Sequence, residues 1–149
     1  MRALLTLAAL TLIPTALTPS AQAAPRAAAV PAPLNGLWTL TSFTNGGQRI
    51  TPAGAQLVIA GNSVRGGIGC GRFEGTAQSG GPGRVNLSVT PLPPATNVRC
   101  LYALKGDVHN ALNGVTGYVL SSDTQRLVLY SAKARLTFKR EGYVTPLRN

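Results

Sequence analysis

Acid is scarce in this sequence. Of 149 residues only four are Asp or Glu, one is His and two are Cys, against 14 Lys and Arg, and the formal net charge is +10. Each scarcity excludes a class of chemistry. Glycoside-type hydrolysis needs two convergent carboxylates, whereas Glu74, Asp107, Asp123 and Glu141 are spread along the chain. A closed tetrahedral zinc shell needs four N or S ligands, more than one His and two Cys supply. Cys70 and Cys100 are not in the C-x-x-C arrangement of redox enzymes. His109 follows Asp107 by two residues, a spacing that points helical neighbours in different directions, so it reads as a lone surface histidine. The glycines at 66, 67, 69 and 71 lack the Gly-Lys-Ser/Thr ending of a phosphate loop and read as strand bends. No catalytic residue, cofactor or metal ligand is expected, and the chain reads as non-enzymatic.

Long hydrophobic runs are also missing. The apolar stretch Ala3 to Ile13 is shorter than the roughly 20 residues that cross a bilayer. With Arg2 before it and Ala21-Gln22-Ala23 after it, residues 1–23 read as a secretory signal peptide, with no lipobox cysteine near the cleavage site. The expected location is therefore secreted or periplasmic, and loss of Arg2 with the signal lowers the charge by one. Residues 24–33, rich in Ala and Pro, read as a flexible leader. The folded domain is expected over 34–141 and a tail over 142–149. Export places the two thiols in an oxidising compartment, so a Cys70–Cys100 disulfide is expected, worth about 3–4 kcal/mol by loop-closure entropy.

From Leu34 onward, short β-favouring runs alternate with Gly, Pro, Asn and Ser, the pattern of an antiparallel barrel or sandwich. Strands are predicted near 37–44, 56–60, 63–69, 72–78, 84–89, 116–121, 126–131 and 134–140. In the last of these, Leu136 and Phe138 share one face, and Arg135, Thr137 and Lys139 the other. Alternation also puts Arg72 and Glu74 on one face, as an expected ion pair. Asn45-Gly46, Gly61-Asn62 and Ser122-Asp123 carry turn chemistry, and Gly80-Gly81-Pro82-Gly83 reads as a loop. One segment departs from the two-residue period. Leu101, Leu104, Val108, Ala111, Leu112 and Val115 recur at helical spacing, predicting about three turns of helix that stop at Asn113-Gly114. Trp38, Phe43, Phe73, Tyr118, Tyr130 and Phe138 fall on strands and are expected in the core.

Three stretches stand out together: L-N-G-L-W-T-L at 34–40, G-C-G-R-F-E-G at 69–75 and T-N-V-R-C at 96–100 ahead of the helix, with L-V-L at 127–129 and R-L-T-F-K-R at 135–140 closing the order. In this order they resemble the META domain, or HslJ-like, family of bacterial envelope proteins. The motif residues are Gly36, Trp38, Gly69, Phe73, Gly75 and Thr96, with both cysteines. Gly71 stands where the family usually has Asn, and Leu101, Tyr102 and Lys105 replace its acidic residues at the helix start. The resemblance implies a compact, mainly β fold: an antiparallel, barrel-like sheet with one α-helix. It also implies a non-enzymatic role in stress tolerance or secretion.

The expected function is binding of a protein or envelope component by a monomeric domain, with no nucleic-acid partner. An alternative follows from the charge: a module for anionic envelope polymers or lipids, with Arg65, Arg72, Arg99, Arg135, Lys139 and Arg140 as candidate contacts. A lipocalin-like carrier of a small apolar ligand is the third reading.

Overall fold

The structure, a computed structural model, describes residues 28–50, 54–69, 71–93 and 103–146, with helix side chains from position 108 onward. Within these residues the chain forms nine strands and one α-helix: β1 (Gly36–Asn45), β2 (Gln48–Ile50), β3 (Gln56–Ala60), β4 (Ser63–Ile68), β5 (Gly71–Ser79), β6 (Val85–Pro91), α1 (Ala103–Asn113), β7 (Gly117–Leu120), β8 (Arg126–Tyr130) and β9 (Ala134–Gly142). All pairings are antiparallel, in the order β6-β5-β4-β3-β1-β9-β8-β7, with β2 an appendage of β1. The mainly β fold with one helix is thus the observed one, as a curled half-barrel. The signal peptide, Thr96, Arg99 and both cysteines lie outside the described residues.

Alternation drives the architecture. The inward set of each strand is apolar: Trp38, Leu40 and Phe43 on β1, Leu57 and Ile59 on β3, Val85, Leu87 and Val89 on β6, Leu127 and Leu129 on β8, and Leu136 and Phe138 on β9. These join Val108, Ala111 and Leu112 of α1, and Val115 just after it, in one core, with the helix packed on β6 and β9. Two irregularities in the β1–β9 register, at Leu37/Trp38 and Leu40/Ser42, bend the central pair, as bulges do. The Gly46-Gly47 turn between β1 and β2 places both residues at positive φ, 55° and 84°, the demand of a type I′ hairpin.

In the architecture, expectation and structure differ at β2, in the leader and at Tyr130. Strand β2 escapes the sequence pattern because its three residues are exposed or half-buried and show no alternation. The leader is not loose throughout: Val30 is buried, the Ala28 carbonyl accepts the Ser79 N–H at 3.0 Å, and Ala32–Leu34 form a 3-10 turn. A single valine anchors a stretch whose composition looked too poor to pack. Tyr130, expected in the core, is instead exposed; its ring lies on the outer surface over Gly117, where any Cβ would meet it at 2.6 Å.

Candidate functional site

The first cluster of polar groups is built around Arg140. Alternation along β9 turns this side chain inward beside Leu136 and Phe138, and it is only 4% exposed. Its guanidinium donates to three backbone carbonyls: Nε to Thr124 at 2.8 Å, Nη1 to Asn35 at 2.8 Å and Nη2 to Pro33 at 2.6 Å. It lies 4.0 Å from the centre of the Trp38 ring and 4.4 Å from that of Tyr143, inside the range of cation–π attraction. Burial pushes its pKa below the ordinary arginine value, with Tyr143 acting in the opposite direction. Arg140 is therefore not a contact for an anionic partner, contrary to expectation; it is enclosed, and three of its N–H groups are bonded inside the fold.

The surrounding motif residues serve this cluster. A Cβ at Gly36 would strike Nη1 of Arg140 and approach the Gly142 carbonyl to 2.8 Å. Trp38 donates from Nε1 to the Leu34 carbonyl at 3.0 Å, and buried Asn35 accepts the Gly61 N–H at 2.7 Å. The L-N-G-L-W stretch thus ties the entry of the chain to β9 and to the β3–β4 turn. The second motif is also structural. The Phe73 ring occupies the space beside Gly66, and Gly75 lies against the backbone of Ser88 and Val89, so both glycines permit close approach in a strongly bent sheet. Gly69 sits at φ 57° at the end of β4.

His109 and Asn113 form a second polar group. The Asn113 amide embraces the edge of β6, accepting from Val89 N at 2.7 Å and donating to Val89 O at 3.0 Å. His109 Nε2 lies 2.6 Å from the same carbonyl and therefore carries the proton. The histidine is half-buried and holds α1 to the sheet, rather than standing alone on the surface. Asp123 is spent similarly. Hydrogen bonds from the Ser121 hydroxyl and then from the Gln125 N–H hold its carboxyl below the usual carboxylate range, fixing the β7–β8 turn.

Among the described residues, six further basic side chains lie on two outer faces. Arg65 and Arg72 lie on β4 and β5, where Arg65 is opposite Glu74 in the register. The expected Arg72–Glu74 ion pair is not formed; all three side chains are exposed. Arg135 and Lys139 lie on the outside of β9. The register adds Arg49 of β2, paired through Thr44 to Arg135, and Arg126 of β8, opposite Lys139. Sequence reasoning did not single out Arg49 or Arg126. The alternation of β8 and β9 carried a signal for Arg126, but strand order was needed to place it beside Lys139. An open groove of about 660 Å³, lined by Thr41, Ser121, Gln125, Arg126 and Lys139, runs over this end of the face. A second, of about 910 Å³, lies between β3–β5 and residues Val144, Thr145 and Pro146 of the tail.

This fold has solved neighbours. The chain is similar to a DUF4847 family protein from Bacteroides vulgatus, with 20% identity and a TM-score of 0.53 over 70% of this chain and 92% of that one. It is also similar to a protein from Burkholderia xenovorans solved by NMR, with 20% identity and a TM-score of 0.56 over 85% of this chain and 98% of that one. No family model and no curated protein matches the sequence. At such identity the likeness concerns the fold alone, and the near-complete coverage of both neighbours shows that it extends over their whole bodies.

Proposed function

We propose that this chain is an exported, non-enzymatic binding domain of the META/HslJ-like kind that engages a protein or another component of the cell envelope. The observation that carries this reading is the separate employment of the chemistry-bearing side chains among the described residues. His109 holds the Val89 carbonyl, Asp123 holds its own turn, and Glu74 and Glu141 lie on β5 and β9, four places apart in the sheet. A reactive centre needs such groups to converge; a binding domain needs a surface. The carrier reading has less support, because Trp38, Phe43, Leu57, Ile59, Leu112, Leu127, Leu129 and Leu136 fill the described interior.

Export and the disulfide belong to the same proposal. The register Ile68 to Gly71 brings the chain flanking position 70 to one end of the barrel. A Cys70–Cys100 bridge would link that end to the approach to α1.

Cell fractionation coupled to intact-mass measurement tests the reading. The expected product is periplasmic or secreted, lacks residues 1–23, and is lighter than the dithiol form by two hydrogens. Immobilised, it should retain an envelope component saturably. A cytosolic chain with its N-terminus intact and both thiols free, or one that retains no envelope component, would overturn the proposal.

A further inference from the structure

We propose that the outer face of β2, β1, β9, β8 and β7 is a docking surface for a bilayer rich in anionic phospholipid. The inference rests on the binding-domain reading and names the partner and the face. Cross-strand register arranges the outward side chains in three rows: Arg49, Thr44, Arg135 and Tyr130; then Ser42, Thr137, Val128 and Val119; then Thr39, Lys139 and Arg126. Rows two residues apart along a strand are separated by about 7 Å, and neighbouring strands by about 4.8 Å. The face therefore presents an aliphatic and hydroxyl band between two cationic margins. Lys133, in the β8–β9 turn next to the first row, adds a further exposed cation.

Apolar exposure is concentrated here as well. Val119 is 57% exposed, and Val119 and Tyr130 are two of the three exposed large hydrophobic residues in the described chain; the third, Tyr143, follows β9. Among the described residues, the nearby acids lie at one end only. Asp123 is held by Ser121 and Gln125 in the β7–β8 turn, and Glu141 is near the end of β9, so Arg49, Lys133 and Arg135 have no carboxylate in their row.

Charge complementarity selects an anionic partner, and the centre of the face selects among anions. A hydrated acidic polymer gains nothing from two valines between the cationic rows or from a tyrosine beside Arg135. At a bilayer surface the cations meet lipid phosphates while the tyrosine and valines enter the headgroup layer, where aromatic and aliphatic groups are favoured.

The test uses the protein in the form the cell accumulates. Sedimentation with phosphatidylcholine vesicles is compared with sedimentation on vesicles that also contain phosphatidylglycerol. Wild type is expected to prefer the anionic vesicles, with the preference falling as salt is raised. Each cation removed from the face should lower it about five-fold, so an Arg135→Gln/Lys139→Gln double variant should lose more than about ten-fold. Val119→Ser should weaken partition at unchanged charge. Arg65→Gln/Arg72→Gln on the β4–β5 face removes the same charge and should leave partition unaltered; circular dichroism reports that each variant is folded. Equal sedimentation with neutral and anionic vesicles, or an equal loss from the β4–β5 variant, would overturn the proposal. So would tighter binding to heparin than to the vesicles, insensitive to Val119→Ser, which would assign the face to a soluble polyanion. If vesicle binding fails while a saturable envelope component is still retained, this inference falls and the binding-domain reading stands.

Discussion

Arg140 shows how the position of one residue reverses its meaning. In the sequence it is one of many scattered cations; in the fold it is a bolt through three segments, with acceptors at Pro33 and Asn35 more than a hundred residues away. Hydrogen bonds from a charged donor to backbone carbonyls are worth more than neutral ones, and leaving the carbonyls buried without a donor adds a penalty. Arg140→Met should therefore lower unfolding stability by about 2–4 kcal/mol, read as a fall in the urea midpoint. Arg140→Lys should recover only part of it, since an ammonium lacks the planar fork that reaches all three acceptors. Asp123 allows a prediction with a sign in pH. Its folded-state pKa lies below the ordinary value of 3.8, so its contribution is fully present above that value and is lost as pH falls through the folded-state pKa. The stability difference between wild type and Asp123→Ala should be constant near neutrality and should vanish in strong acid, as pH-dependent denaturant titrations would show.

At the scale of elements, α1 illustrates what a pattern can and cannot reveal. The spacing of Val108, Ala111, Leu112 and Val115 announces both the helix and its apolar side, and these four residues are buried. That this side meets β6 is invisible in the spacing, as is the use of Asn113, a turn residue by composition, as a clamp on Val89. Asn113→Ala should cost about 1–2 kcal/mol and speed hydrogen exchange at the Val89 amide, which loses its acceptor. The strands were legible to within one or two residues wherever one face is buried and the other wet, because the two-residue period then leaves a clear trace. It failed for β2, where no face is buried; for Tyr130 the period of β8 points outward, and it was the expectation of a core aromatic that failed.

The described barrel is tied together by the segments that flank it. Residues 28–35 pack against the barrel through Val30 and Leu34, and Tyr143 covers the other side of Arg140. A chain begun at Leu34 would lack both the Val30 side chain and the Pro33 acceptor of Arg140. It should be less stable by about 2–3 kcal/mol, measured as a lower urea midpoint than that of a chain begun at Ala28. The sequence by itself determined the class of fold, the turns, the helix and the shortage of groups that could support catalysis, because these depend on local period, turn chemistry and composition. Only the tertiary structure decided which cations face water and which are enclosed, and that Arg49, Arg126, Arg135 and Lys139 share a face. Those outcomes depend on strand order and register, which bring distant residues together and leave no mark in the local pattern.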